Sequence, residues 1–323
     1  MSAPRDIVVD WAERGHIRSE DLPKALAVAG VTPDSRAWIR FLATLLLSLG
    51  ALLIATGVIF FFAYNWNAIG RFGKFGLLEG IFVAAAVAAW FYGPAKPAGQ
   101  AALLAATLLT GALLALVGQT YQTGADTYQL FAWWAALIVP WVGVSRLPAL
   151  WLIWIALLNL AIAMYFRAFP GLLGVVFSGE SLLWVLFAVN GVASVIWELA
   201  ARRGPQGPQG RWSARVLIGA TGTMITILAL AAILDRTNVE YLRLLVYVAW
   251  LGTMYACYRR ISIDLFALAG SVLSTVIVVA ALLGKLMLDS AEAGGFLFIG
   301  LVVIAMSATG AWWLRRVAAE ADR

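Results

Sequence analysis

Long apolar runs, separated by short polar stretches, fill the chain from residue 41 to residue 314. An α-helix needs roughly 20 apolar residues to cross the hydrocarbon core of a bilayer, and several runs approach or exceed that length. The pattern therefore predicts an all-α polytopic membrane protein with about ten transmembrane helices. The predicted spans are residues 41–63, 75–93, 101–117, 130–144, 148–166, 181–199, 214–234, 241–258, 265–284 and 294–314.

One predicted span is weaker than the others. Residues 130–144 form a short run that contains Pro140, and proline interrupts the hydrogen bonding of a helix interior. A re-entrant segment is the alternative at this position, and it would reverse the orientation of every later span. The charges of the later loops favour a complete span.

The polar residues before the first span predict a small cytoplasmic helical hairpin. Its first helix covers residues 5–14 and ends at Gly15, while Ser19 caps the second helix, which ends at Gly30. So short a unit has little core of its own, and we expect it to dock on the membrane domain, on a protein partner or on a second copy. Its apolar seam is predicted at Trp11, Ile17, Leu22, Leu26 and Val28.

Loop composition divides the chain into five predicted segments. These are the hairpin (1–36), the first four transmembrane helices (37–145), helices five and six (146–200), a cytoplasmic linker (201–213) and helices seven to ten (214–323). The linker repeats Gly-Pro-Gln, a composition typical of flexible connections.

Composition excludes an ordinary soluble domain. Hydrophobic residues make up 63% of the 323 residues and charged residues 12%, whereas soluble domains carry about 25% charged residues. The net charge of +6 does not indicate nucleic-acid binding, because Arg and Lys concentrate in the loops that lie inside when the N-terminus is cytoplasmic. This positive-inside bias predicts that both termini are cytoplasmic and that membrane lipids surround the spans.

The sequence contains none of the usual enzyme motifs. The only cysteine, Cys257, and the only histidine, His16, have no neighbours at metal-binding spacing. No Gly-x-Ser-x-Gly, His-Glu-x-x-His or P-loop pattern occurs. We therefore expect a non-catalytic protein with no metal and no cofactor.

A polar stretch at residues 118–129 separates the third and fourth predicted spans. The predicted topology places it outside, together with the first connection at residues 64–74. We expect these two loops to meet, with Arg71 or Lys74 forming an ion pair with Asp126. The candidate outer polar site consists of Asn65, Asn67, Arg71, Lys74, Glu79, Gln119, Tyr121, Gln122, Asp126 and Tyr128.

Two interpretations of this outer polar site stay open. In the first, the polar side chains only fasten the two loops together. In the second, they line a groove for a headgroup, a sugar or a peptide segment, because convergent polar groups beside an apolar wall are typical of binding sites.

Glu79 lies about one turn into the second predicted span, with Gly70, Gly73, Gly76 and Gly80 around it at helical spacing. Glycines at this spacing permit close helix approach, and a carboxylate at such a position is a functional candidate. The alternative is a shallow salt bridge to Arg71 or Lys74, with the side chains reaching toward the interface.

Asn159 and Asn190 lie near the middle of consecutive antiparallel spans, at similar depth. Unpaired amides are costly in hydrocarbon, so the two side chains are predicted to hydrogen-bond to each other, with a substrate contact as the alternative. Glu198, Asp264 and Lys285 lie at span ends and are interpreted as boundary charges, and Tyr258 is interpreted as part of an interfacial aromatic belt.

Short motifs in the first half of the chain resemble a known family. They are Trp11-Ala12-Glu13-Arg14-Gly15-His16-Ile17, Phe62-Ala63-Tyr64-Asn65-Trp66, Lys74, and Gly118-Gln119-Thr120-Tyr121 through Asp126 to Leu130-Phe131. In order and spacing they resemble the bacterial membrane-protein family called domain of unknown function 2157 (DUF2157), over roughly residues 5–145. The resemblance implies an uncharacterised protein of the bacterial inner membrane and supplies no activity.

Two functions follow as hypotheses. One is transport, or the handling of lipids or envelope precursors, through the outward-facing polar site. The other is a non-catalytic scaffold or regulatory protein that acts through a partner of its cytoplasmic head. Small residues in the spans permit helix contacts within one chain or between chains, so the oligomeric state stays open.

Overall fold

The computed structural model describes residues 4–31, 35–64, 69–145, 147–169, 181–202, 211–235, 241–287 and 293–321. These residues form helices and no strands. The helices are α1 (Pro4–Glu13), α2 (Leu22–Val28), α3 (Ser35–Tyr64), α4 (Arg71–Tyr92), α5 (Pro97–Tyr121), α6 (Thr127–Val144), α7 (Pro148–Ala168), α8 (Ser181–Arg202), α9 (Trp212–Leu234), α10 (Tyr241–Tyr255), α11 (Leu265–Met287) and α12 (Ala293–Ala321).

Nine helices among the described residues are long and apolar enough to cross a membrane. The predicted all-α polytopic membrane fold is therefore confirmed. The weakest predicted span is the continuous helix α6, although Pro140 lies inside it. Helix α10 has only 15 residues, but the π-helical segment Ala256–Ile261 continues it without a break.

The chain divides into two compact units, an N-terminal unit of residues 3–170 and a C-terminal unit of residues 171–323. In the N-terminal unit, α5 is the most buried span and packs against α3, α4 and α6, while α7 packs on α6. In the C-terminal unit, α9 takes the central place and packs against α8, α10 and α11, while α12 packs on α11.

In each unit, a tryptophan side chain from a neighbouring helix packs against a glycine of the central helix. A Cβ atom on Gly111 of α5 would lie 2.5 Å from the Trp134 ring of α6, so only glycine fits there. The Trp134 indole N–H also donates a 2.8 Å hydrogen bond to the Thr107 carbonyl. In the C-terminal unit Trp250 packs on Gly222 in the same way, with a Cβ-to-ring distance of 3.0 Å.

Buried hydroxyl groups reinforce the C-terminal unit. The Ser274 hydroxyl lies 2.6 Å from the Thr226 hydroxyl and 3.0 Å from the Tyr247 hydroxyl. These bonds connect α9, α10 and α11 at buried positions. Interhelical hydroxyl contacts are a usual way to join helices that all face the same apolar solvent.

The hairpin before the first span forms, with α1 packed on α2. Gly15 and Gly30 adopt positive φ angles of 77° and 70°, as their predicted role at the ends of the two helices requires. The predicted cap Ser19 is wrong, because α2 begins later, at Leu22, with Asp21 at its N-cap position.

The apolar seam predicted for the hairpin is also partly wrong. Val28 is 90% exposed and Trp11 is 52% exposed, whereas Val8, absent from the predicted seam, is buried. The late start of α2 leaves it only 7 residues long, and none of its residues is buried. Most of the predicted linker at 201–213 lies outside the described residues.

Candidate functional site

The helix ends that carry the predicted outer polar site share one end of the N-terminal unit. Successive antiparallel helices bring the start of α4 beside the end of α5, where the rings of Phe75 and Tyr121 lie 6.0 Å apart. The start of α6 likewise meets the end of α7, where the Tyr128 ring lies 5.2 Å from Tyr165 and 5.8 Å from Phe169. Aromatic contacts therefore form the base under the connection between α5 and α6.

The connection between α5 and α6 has an unusual backbone. Gln122, which ends α5, has φ 44° and ψ 51° in the left-handed region, and Gly124 follows with φ 65°. Gln122 is the only non-glycine residue with positive φ among the described residues. Left-handed backbone at a residue with a side chain carries strain that clusters at functional sites.

Most of the predicted site residues present their side chains on the surface. Tyr128 is half-buried, and Lys74, in the first turn of α4, is only 7% exposed. The exposed members are Arg71, Glu79, Gln119, Tyr121, Gln122 and Asp126. Asn65 and Asn67 lie outside the described residues.

The ion pair predicted between the two loops is not formed. Within the described part of the chain, neither Arg71 nor Lys74 lies within salt-bridge distance of the Asp126 carboxylate. Asp126 holds the N-cap position of α6 but makes no capping hydrogen bond with its side chain. The Arg71 guanidinium instead lies 4.9 Å from the ring of its neighbour Phe72.

Glu79 lies exposed on α4 and makes no salt bridge with a described residue. Its predicted partners Arg71 and Lys74 precede it by eight and five residues, spacings that do not match the three or four residues of a helical pair. No described atom approaches a Cβ position on Gly76 or Gly80 within 4 Å. Among the described residues, no neighbouring helix makes the close approach that the glycine spacing permits at these two positions.

The two intramembrane asparagines lie in different units, Asn159 in α7 and Asn190 in α8. The Asn190 amide donates a 2.8 Å hydrogen bond to the Leu186 carbonyl of its own helix. The Ser194 hydroxyl, which bonds to the Asn190 carbonyl, lies 3.4 Å from the Thr221 hydroxyl of α9. Pairing of Asn159 with Asn190 stays a prediction.

The C-terminal unit contains a second cluster of polar side chains, which we call the ion cluster. It consists of Glu198, Arg211, Arg215, Tyr258 and Asp264. Asp264 Oδ2 accepts bonds from Arg211 Nε at 2.6 Å and Arg215 Nε at 3.2 Å, and its side chain is fully buried. Asp264 Oδ1 also accepts the Phe266 backbone N–H at 3.0 Å, at the start of α11. The cluster therefore ties α9 to α11.

Glu198 extends the ion cluster to two further elements. Its Oε1 accepts a 3.0 Å hydrogen bond from the Tyr258 hydroxyl and a 3.4 Å bond from Arg211. These contacts connect α8 with α9 and with the π-helical segment. Tyr258 is buried, so its predicted place in the interfacial aromatic belt is wrong.

Two opposing effects in the ion cluster determine the pKa of Asp264. Burial acts to raise the pKa of this carboxyl, but hydrogen bonds and charges from Arg211 and Arg215 outweigh it and hold the pKa below its ordinary value of 3.8. The lowered pKa favours the ionised carboxylate of Asp264, which accepts hydrogen bonds from both arginines.

Sequence reasoning assigned Glu198 and Asp264 to span boundaries and missed the ion cluster. Two signals pointed to it. Asp264 directly precedes an apolar run, the usual place of a helix-capping aspartate. Arg211 and Arg215 are four residues apart and therefore share one helix face. Among the described residues, no group of three His, Cys, Asp or Glu side chains is arranged to hold a metal ion.

Residues 9–151 match the family model described as Predicted membrane protein (DUF2157). The resemblance predicted over roughly residues 5–145 is therefore confirmed. The matched region includes the hairpin from Val9 onward and helices α3 to α6, and with them all ten residues of the predicted outer polar site. No curated protein and no solved structure matches the chain significantly.

Proposed function

We propose that the protein binds the polar part of a lipid, or of a lipid-linked envelope precursor, at the α5–α6 connection and acts in its transport or handling. The site needs no catalytic step, no metal and no cofactor. One observation carries the proposal: the polar side chains at this connection are presented to the surface without being used to fasten the fold. Asp126, Gln119 and Gln122 are exposed, and no described residue engages their side chains.

The chemistry of the site fits a polar headgroup. Arg71 offers a cation and Asp126 an anion, while Gln119 and Gln122 offer amide donors and acceptors. The aromatic base formed by Phe75 and Tyr121 provides an apolar surface beside them. Such a combination of few polar groups on an apolar wall is typical of ligand sites.

Retention of the ligand through purification tests the proposal. Protein extracted gently from native membranes is analysed by mass spectrometry for bound lipids and lipid-linked molecules, for wild type and for Asp126→Ala. We expect a species bound to wild type to fall at least about tenfold in Asp126→Ala, because a lost charge-assisted hydrogen bond is worth about 1.5–3 kcal/mol. Glu13→Ala, which removes an exposed carboxylate from the hairpin, serves as the matched control.

An equal ligand complement in wild type and Asp126→Ala, at equal protein yield, would contradict this proposal. So would a loss that Glu13→Ala reproduces, because a general change in net charge would then explain it.

We place the protein in the bacterial cytoplasmic membrane with both termini inside, which puts the α5–α6 connection outside. The loop charges support this orientation. A periplasmic reporter fused after Gly124 should be active and one fused after Gly207 inactive. The opposite pair of activities would reject both the orientation and an outer site.

A second candidate function is that of a scaffold or regulatory protein acting through the hairpin. The specific observation in its favour is the exposure of Trp11 and Val28 there, at 52% and 90%. Exposed large apolar side chains on a small unit are typical of protein contact surfaces.

The two functions are separated by paired variants in a strain whose phenotype depends on the protein. If Asp126→Ala is inactive and Trp11→Ser is active, at normal abundance in the membrane, the outer site carries the function. If Trp11→Ser is inactive and Asp126→Ala is active, the scaffold function is correct and ligand handling at the outer site is wrong.

A further inference from the structure

A cleft of about 390 Å³ opens in the C-terminal unit between α10, α11 and α12. Its walls are mainly apolar, with Leu251, Val272, Val276 and Met306 among them, and Tyr255 and Trp313 also line it. The hydroxyl groups that line it, such as that of Ser271, already donate to backbone carbonyls of their own helices. The cleft therefore suits an apolar occupant, not a hydrogen-bonding one.

The stacked rings of Tyr255 and Trp313, with centroids 6.3 Å apart, connect the cleft to the end of the helix bundle. Beyond them lie Arg259, Arg260 and Arg316, and among the described residues the carboxylate that pairs with them is that of Glu320. Arg259 and Arg316 both form salt bridges with Glu320. Three arginines against one glutamate give this rim a net positive charge.

The π-helical segment explains why Arg260 lies beside the cleft. In a π-helix the backbone bonds connect residues five apart, and Arg260 follows Tyr255 by five residues. Its guanidinium lies 5.9 Å from the Tyr255 ring centroid, directly beside the cleft lining. Arg316 lies one helical turn beyond Trp313 on α12, so it extends the same stripe.

We infer that this cleft and its arginine rim bind one anionic phospholipid, with an acyl chain in the cleft and the phosphate on Arg260 and Arg316. The site complements both parts of such a lipid, because the apolar cleft continues into a cationic rim at the level where the helices end. Basic pockets between transmembrane helices bind anionic headgroups for the same reason. The site lies in the C-terminal unit and is independent of the proposed function.

Native mass spectrometry of the full-length protein in detergent tests the inference. The probes are phosphatidylglycerol and phosphatidylcholine with identical acyl chains, titrated separately. We expect a single saturable adduct that prefers phosphatidylglycerol. In R260Q/R316Q its affinity should fall about 25-fold, from about fivefold for each surface arginine removed, while phosphatidylcholine adducts stay unchanged.

Two controls separate the site from general attraction to charge and from misfolding. Arg315→Gln removes an exposed arginine from the same end of α12 and should change the affinity for phosphatidylglycerol less than twofold. Ser271→Phe fills the cleft and leaves the rim intact, and it should also remove the phosphatidylglycerol adduct. Ala269→Phe, on an exposed position of the same helix, should not.

Equal affinity of the wild type for the two lipids would overturn the inference. The same conclusion follows if Arg315→Gln weakens binding as much as the double variant, or if Ser271→Phe keeps the adduct. A dimeric mass without any lipid adduct would mean that a second copy covers the cleft, and it would overturn the inference as well.

Discussion

The two units of this protein use their polar residues in opposite ways. In the C-terminal unit, the Asp264 carboxylate is fully buried and accepts bonds from two arginines and from the start of α11. In the N-terminal unit, the Asp126 carboxylate is exposed. Although Asp126 lies at the N-cap position of α6, its side chain makes no capping hydrogen bond. The Asp264 carboxylate is already engaged by its protein partners, whereas the exposed Asp126 carboxylate stays accessible, and this difference supports the proposed headgroup site at the α5–α6 connection.

The two units share one feature of their apolar packing, although they differ in the use of Asp126 and Asp264. Each has a central helix with a glycine that receives a tryptophan ring, Gly111 with Trp134 and Gly222 with Trp250. The two apolar cores therefore share this packing of tryptophan on glycine, while Asp126 and Asp264 at the polar helix ends differ.

The largest effect is expected at the ion cluster. Asp264→Ala leaves Arg211 and Arg215 without their buried partner and removes the bond to the Phe266 N–H. Breaking a buried pair costs about 3–5 kcal/mol, and because both arginines are about 40% exposed we expect about 2–3 kcal/mol. Unfolding in detergent measures it, with Asp10→Ala as a control because the pair of Asp10 with Arg14 is exposed. Equal losses in both variants would remove the contrast between buried and exposed pairs.

Lowering the pH should also show how much the ionised Asp264 carboxylate stabilises the folded protein. The folded pKa of Asp264 is lowered by Arg211 and Arg215 against the effect of burial. A lowered folded pKa stabilises the protein above the unfolded value, and this stability is lost as the pH falls through the folded pKa. Wild type should therefore lose stability below pH 3.8 more steeply than Asp264→Asn. Parallel curves for the two proteins would show that the carboxylate is not engaged as described.

The shared packing principle can be tested at its glycines. Gly111→Ala places a Cβ atom 2.5 Å from the Trp134 ring, which cannot shift without breaking its bond to the Thr107 carbonyl. Overpacking of this kind costs about 1–3 kcal/mol. Gly222→Ala, at 3.0 Å, should cost less. Gly76→Ala, with open space around it, should be neutral or slightly stabilising, and a comparable loss there would refute the assignment.

A smaller effect of opposite sign is expected at Gln122. Its left-handed backbone, with φ 44°, costs a residue with a side chain about 1 kcal/mol, so Gln122→Gly should stabilise the fold by up to that amount. Gln119→Gly, inside helix α5, should instead destabilise by about 1 kcal/mol. Chemical unfolding compares the two, and a destabilised Gln122→Gly would show that its side chain helps to hold the fold.

The sequence predicts the apolar part of this fold well and its polar contacts poorly. Hydrophobic runs locate the spans because each must match the thickness of the bilayer, and even α6 with Pro140 forms. The partners of Asp264 could not be predicted, because they come from α9, some 50 residues away in the chain. The sequence predicts too early a start for α2, because Ser19 and Asp21 are both residue types that cap helices and the local sequence does not distinguish between them.

At the candidate site, too, the sequence predicts the position of the helix ends better than the contacts between polar side chains. The expectation that the start of α4 lies near the end of α5 agrees with the contact between Phe75 and Tyr121. The expected pair of Arg71 or Lys74 with Asp126 is absent from the described residues, because shared membrane depth does not bring side chains within 4 Å of each other. The left-handed Gln122 has no signature of its own in the sequence.

The central claim is that Asp126 serves a ligand while Asp264 serves the fold. Unfolding of Asp126→Asn and Asp264→Asn under identical conditions, in detergent at neutral pH, tests it most directly. We predict that Asp126→Asn changes the free energy of unfolding by less than about 0.5 kcal/mol, while Asp264→Asn lowers it by about 1–2 kcal/mol as its charged bonds weaken. An Asp126→Asn protein destabilised as much as Asp264→Asn would contradict the claim, because Asp126 would then be part of the structure.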